Sequence, residues 1–158
     1  MLYEVNGDLV KDKKFDVFCH QTNCRGVMGA GIALQIKRAY PEVAAANENY
    51  FVTHKSDAKS MLGTNLYINT HDGRTCVNFY AQEEYGRGGS RKTDYNAFNQ
   101  CMVRLAKKLS VSDPSIKVGF PYGIGCGLGG GDWETIYRMI KSMSEEVKQD
   151  IYIVRYRN

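Results

Sequence analysis

The chain reads as an α/β protein in three layers, helices on both faces of a central mixed sheet, and three observations say so. Apolar runs of strand length alternate with segments whose apolar residues recur at helical spacing, the pattern of βα units. Between two strand-like runs lies Asp72-Gly73, a hairpin signal, so one strand runs against its neighbour. Two glycine-rich turns, 23–31 and 123–131, each join a strand-like run to a helix-like one.

In chain order, residues 2–5 form a first strand closed by the turn Asn6-Gly7-Asp8, and residues 15–20 form a denser, buried second strand. From 29 to 40, Ile32, Ala33, Ile36 and Ala39 recur at helical spacing. Pro41 ends that helix and opens the next, 42–53, at the first-turn position where proline is tolerated. Residues 66–69 and 76–81 are the hairpin strands, followed by a polar loop over 82–92. Thr93 or Asp94 caps a helix over 95–109 with Phe98, Met102, Leu105 and Leu109 inward. The most central-looking strand is 116–120. An amphipathic helix over 133–147 turns Trp133, Ile136, Tyr137 and Ile140 inward, and 151–154 makes a last strand. No repeat, low-complexity tract or linker divides the chain, so residues 1–158 read as one domain, long enough for a full core.

A composition of 43% hydrophobic and 24% charged residues is that of an ordinary globular protein. The net charge of +4 tolerates phosphate ligands or nucleic acid without demanding either. Five cysteines with no CxxC pair argue against a disulfide framework or a zinc ribbon, and the expected compartment is a reducing, cytoplasmic one. Met1-Leu2-Tyr3-Glu4-Val5 does not resemble a secretory leader, and no stretch approaches a membrane span.

Glycine lets backbone N–H groups approach a ligand with no Cβ in the way, and a helix start adds unpaired N–H groups and partial positive charge. Both turns leave the carboxyl ends of strands, so they lie on one rim of the sheet and suit a pyrophosphate held from two sides. The plainer alternative is that the glycines only make tight turns. Gly125-Cys126-Gly127-Leu128-Gly129-Gly130 satisfies GxGxxG, but too little sequence follows for a dinucleotide fold, which argues against a dehydrogenase. No Gly-Lys dipeptide occurs, which excludes a P-loop.

Four segments now stand in order: Asn6-Gly7-Asp8-Leu9; His20-Gln21-Thr22-Asn23 with Gly26 and Gly29-Ala30-Gly31-Ile32-Ala33; Asn78-Phe79-Tyr80-Ala81-Gln82 with Tyr85-Gly86 and Arg91-Lys92-Thr93-Asp94-Tyr95; and Pro121-Tyr122-Gly123-Ile124-Gly125-Cys126-Gly127-Leu128. Together they resemble the macrodomain family of ADP-ribose-binding α/β/α modules, over essentially the whole chain. The middle segment is similar to the branch of terminal ADP-ribose protein glycohydrolase, the DNA-ADP-ribose-removing antitoxins and the yeast-type ADP-ribose 1″-phosphate phosphatases. The resemblance implies that Asp8 accepts a hydrogen bond from the adenine amino group while the N–H of Leu9 reaches a ring nitrogen. It implies that Asn23 bonds the distal ribose hydroxyls. The amides of Gly29, Ala30 and Gly31, and of Gly123, Ile124, Gly125, Cys126, Gly127 and Leu128, would cradle the pyrophosphate. By residue type alone Asp8 is a turn residue and Asn23 an Asx turn. Tyr156 either stacks on adenine or belongs to the core.

Against the family's hydrolases the chain departs at three places. The glycohydrolase branch uses a lysine at the end of the middle strand, where this chain has Gln82, and terminal glycohydrolase has an aspartate where this chain has Gly129. Residues 27–33 offer neither the Asp nor the His of the larger hydrolase branch. His20 and Asp132 remain as catalytic candidates, one to protonate a leaving group or position water, the other as a carboxylate base. Each has a structural alternative, a strand-end histidine and a helix N-cap. Cys24 and Cys126 read as small apolar residues, and Cys19, His20 and Cys24 lack zinc-ligand spacing, so no metal or cofactor is expected. The expected partner is ADP-ribose or a derivative, ADP-ribose 1″-phosphate first, with removal of its phosphate. A reader without turnover and a hydrolase acting on ADP-ribosylated protein or nucleic acid stay open. A nucleic-acid module using Arg87-Gly88-Gly89-Ser90-Arg91-Lys92 is the alternative from another class. No membrane and no obligate protein partner is expected.

Overall fold

A computed structural model describes residues 1–85 and 91–157. Its strands are β1 (Leu2–Gly7), β2 (Val17–Asn23), β3 (Asn65–Asn69), β4 (Thr75–Gln82), β5 (Lys117–Pro121) and β6 (Asp150–Tyr156). Its helices are α1 (Gly31–Ala39), α2 (Pro41–Thr53), α3 (Ala58–Met61), α4 (Tyr95–Ser110) and α5 (Trp133–Glu146). The strands form one sheet in the order β1-β6-β5-β2-β4-β3, parallel throughout except for β3, which the Asp72-Gly73 hairpin returns antiparallel to β4.

Strand alternation splits the core into two layers. Cys19, Val77, Phe79, Val118 and Phe120 face α4 and α5 and meet Phe98, Met102, Leu105, Ile136 and Ile140. Phe18 and Cys76 face the other way, onto Ile36 of α1 and Val43 of α2. The faces expected from periodicity are buried in α4, whereas in α1 Ile36 is buried, Ile32 and Ala33 are half-buried and Ala39 is exposed, and in α5 Trp133 and Tyr137 stay half-exposed, with Trp133 leaning on Tyr122 at 4.8 Å between ring centroids.

Three local differences bear on the site. Strand β2 continues to Asn23 rather than ending at His20, so the residues before the first glycine turn are ladder residues. The short helix α3 was not expected; Asp57 caps it. Arg74, which reads as a hairpin residue, is buried. Its guanidinium donates to the carbonyls of Leu9 at 2.8 Å, Val10 at 2.8 Å and Phe15 at 2.9 Å and to Tyr40 Oη at 2.9 Å, and it covers the Phe18 ring. The β1–β2 connection that starts with Asp8 is thereby tied to the hairpin and to the α1–α2 junction. No helix among the described residues is long and apolar enough to cross a membrane.

Candidate functional site

The carboxyl ends of β2, β4 and β5 open into a cavity of about 590 Å³ between the two glycine turns. Residues 27 and 29–33 line one side of it. Asn23 builds that wall: its Oδ1 accepts from Arg25 N at 3.0 Å and Val27 N at 3.3 Å, and its Nδ2 donates to Val27 O at 2.8 Å. The Asx turn is therefore its observed work, at the cavity floor. Helix α1 starts on the same wall. Asp57, Asp94 and Asp132 cap α3, α4 and α5, but no side chain caps α1 and its first turn carries no acid. Its first N–H groups and its positive end are left at the cavity.

Residues 121–125 and 127–129 line the other side. Gly123 and Gly125 both sit at φ +77°, a conformation that favours glycine. Two amides expected in the cradle are engaged inside the turn, Ile124 N with Pro121 O at 3.0 Å and Cys126 N with Gly123 O at 2.8 Å. Cys126 is off the lining, and burial, with Asp132 nearby, pushes its thiol up to about 11.

A neutral network closes the β4 end of the cavity. Gln21 Nε2 donates to Gln82 Oε1 at 2.6 Å and to Thr93 Oγ1 at 2.8 Å, and Thr93 Oγ1 donates to Gly125 O at 2.6 Å. Gln82 Nε2 donates to Glu84 O at 2.7 Å. A Cβ on Gly129 would stand 2.5 Å from Thr93 Oγ1 and 2.8 Å from Gly125 O, so this network fills the space a side chain at 129 would need. Residue types alone did not reveal Gln21 or Thr93 as site residues. The isolated bridge between Gln82 and Thr93 unites them, and it forms only in the folded chain. Tyr85 and Tyr122 are the ionisable side chains lining the cavity among the described residues.

The two catalytic candidates lie elsewhere. His20 is 0% exposed, in mid-strand on the α1–α2 face, with Nε2 2.6 Å from Asn78 Oδ1. Burial lowers its imidazole to about 4, against the opposing hydrogen bond to Asn78 Oδ1, so it is neutral near pH 7. It does not reach the cavity. Asp132 is exposed and accepts from Thr135 N at 3.0 Å and Thr135 Oγ1 at 2.8 Å, bonds that lower its carboxyl. It is a helix cap away from the lining. The Cys24 thiol is buried and pushed up to about 12. Among the described residues no three His, Cys, Asp or Glu side chains gather as metal ligands would.

Asp8 and Leu9 lie outside the cavity lining, at the β1 end of the same rim. Asp8 Oδ1 accepts from Val10 N at 3.1 Å and Lys11 N at 3.2 Å, a turn role. Leu9 is buried over Gly119, where a Cβ would come within 2.4 Å of it. Tyr156, 57% exposed rather than in the core, is the register partner of Gly7 and so stands beside Asp8. The stretch Arg87-Gly88-Gly89-Ser90 lies outside the described residues. Beyond it Arg91 covers the Tyr95 ring, and Lys92 N donates to Gly129 O at 2.8 Å.

Residues 19–140 match the model of the Macro domain family. The DNA ADP-ribosyl glycohydrolase of Mycobacterium bovis is 27% identical over 144 residues, which are 90% of this chain and 38% of that protein. The chain thus spans well under half the length of that relative. The ADP-ribose 1″-phosphate phosphatase of Debaryomyces hansenii is 34% identical over 73 residues, 43% of this chain and 41% of that protein. The macrodomain of Mycobacterium tuberculosis DarG superposes with a TM-score of 0.77 at 24% identity, over 100% of this chain and 99% of that one. Because the family match takes in both glycine turns and the strands that carry them, on a fold that superposes end to end, the chain belongs to the Macro domain family.

Proposed function

We propose that the cleft binds ADP-ribose along the sheet rim, adenine at the β1 end and the terminal ribose at the β4 end. The observation that carries this reading is the order of features along the strand ends. Crossing from β1 through β6, β5 and β2 to β4, the rim presents Asp8, then the second glycine turn, then the first with uncapped α1, then Gln21 and Gln82. At about 4.8 Å per strand those four steps span about 19 Å. Adenine, diphosphate and ribose follow in that order in ADP-ribose. A carboxylate suits an exocyclic amine, helix-start amides suit a diphosphate, and a neutral amide end suits sugar hydroxyls. Calorimetry with ADP-ribose, ADP and AMP tests the order. Affinity is expected to fall at each truncation; no heat at millimolar ADP-ribose, with tight RNA binding instead, overturns the reading.

The lining favours holding the ligand over transforming it. With Gln82 in place of an amine, no cleavage of ADP-ribosylated DNA or protein is expected. The reading with turnover, phosphate removal from ADP-ribose 1″-phosphate, is favoured by the Debaryomyces hansenii relative. In it, His20 would act through the strand it stabilises and Asp132 through the helix it caps, while water attacks the phosphorus in the cleft, the bond from phosphorus to the ribose 1″-oxygen breaks, and a proton of the water ends on that oxygen as ADP-ribose leaves. Phosphate release by wild type separates the two readings. Equal release by wild type and His20→Ala removes His20 from the reaction.

A further inference from the structure

We infer that Thr93 is a positioning residue for the diphosphate-binding loop, holding residues 125–131 in their ligand-ready shape through its hydroxyl; this rests on the ADP-ribose reading above. Three kinds of contact converge on it. Its Oγ1 donates to Gly125 O at 2.6 Å and accepts from Gln21 Nε2 at 2.8 Å. Its backbone N donates to Gly129 O at 2.9 Å, beside Lys92 N on the same carbonyl at 2.8 Å. The loop then closes on itself, with Gly131 N donating to Gly125 O at 2.8 Å. Gly125 O therefore receives a side-chain and a main-chain donor, and one threonine grips the loop at both ends.

The direction of every bond is fixed. A hydroxyl has one proton, and the Thr93 proton faces a carbonyl, which can only accept. Gln82 turns its amide nitrogen to another carbonyl, Glu84 O, so its oxygen faces Gln21. Gln21 must then present its nitrogen to both neighbours, leaving its Oε1 buried without a hydrogen-bond partner under Gly125. The Thr93 hydroxyl meets the nitrogen of the Gln21 amide and not its oxygen, so Gly125 O is the acceptor for its proton. Thr93 is 2% exposed, so water does not replace the contact. The loop that results is built without a side chain at 125, 129 or 131, because a Cβ at any of them would come within 2.8 Å of this network or of Gly125 O.

The test compares Thr93→Val, which keeps the shape and removes the hydroxyl, with Thr93→Ser, which restores it. By calorimetry, Thr93→Val is expected to weaken ADP-ribose and ADP alike, by about tenfold, and to leave AMP unchanged; Thr93→Ser recovers most of the loss. In the ligand-free protein, amide exchange at Gly131 should quicken in Thr93→Val and return in Thr93→Ser. Equal ADP-ribose affinity and equal Gly131 exchange in wild type and Thr93→Val overturn the inference. Loss of AMP binding together with the others would mean a general structural role and overturns it as well. If wild type binds no ADP-ribose, the ligand reading fails, while the exchange experiment still judges whether Thr93 sets the loop.

Discussion

Side chains at the β4 end of the cleft are joined by neutral hydrogen bonds, at the two positions where the resemblance to the glycohydrolase branch would put a lysine and an aspartate. Gln21, Gln82 and Thr93 engage one another and two main-chain carbonyls, and the space beside them is closed at Gly129. Gly129→Asp is therefore expected to push the loop off Thr93 and to cost about 1–3 kcal/mol in urea unfolding. It should yield no ADP-ribosyl cleavage, even with Gln82→Lys, in an assay on ADP-ribosylated DNA. His20 makes a different prediction. A histidine that titrates near 4 when folded and 6.5 when unfolded adds stability that is complete above pH 6.5 and is lost as pH falls toward 4. The loss amounts to about 3 kcal/mol. Unfolding measured at pH 7, 6, 5 and 4 should follow that decline, and His20→Gln should flatten it between 6.5 and 5. The cap role of Asp132 was legible from Asp-Trp at a helix start. The burial of His20 was not, because a histidine next to a polar turn reads like a rim residue until β2 is seen to run on to Asn23.

Helix α1 has neither the aspartate cap of α3, α4 and α5 nor the first-turn acid of α2. Its N-cap, Ala30, has an extended backbone, φ −149° and ψ 160°, the geometry a capping aspartate uses, yet no cap is present. Ala30→Asp is expected to stabilise the protein by about 1 kcal/mol in thermal unfolding. The same carboxylate would stand where the diphosphate is proposed to lie and should weaken ADP-ribose by more than tenfold. Both effects in one variant are the signature of a helix start left open for an anion; a gain in stability with unchanged affinity would sink that account. Periodicity was a good guide at this scale. Phe98, Met102, Leu105 and Leu109 of α4 repeat on the buried face, and Pro41 opens α2 after Tyr40 ends α1. The four-residue α3 escaped, being too short for its periodicity to stand out.

Across the whole molecule, contacts far apart in sequence set the rim. β1 pairs with β6 at the other end of the chain, which brings Tyr156 beside Asp8. Arg74 ties the β1–β2 connection to the hairpin, and Arg74→Met would leave three carbonyls without their donor. A cost of at least about 3 kcal/mol is expected in urea unfolding, with the midpoint falling while the slope is kept. Asp72, in the same node, makes the fold sensitive to acid a second time. Burial pushes its carboxyl up, but bonds from Thr70 and Tyr40 and the Arg74 charge outweigh this and hold it at about 2. Its stabilising share is therefore lost as pH falls from about 4 toward 2. By itself the sequence determined the α/β/α class, the hairpin, the two glycine turns and their place after strands, since each rests on local periodicity or on one residue's backbone freedom. Tertiary structure decided which side chains reach the cavity. It buried His20, turned Asp132 into a cap and joined Gln21 with Gln82 and Thr93, because burial and hydrogen-bond partners depend on residues that only strand pairing brings together.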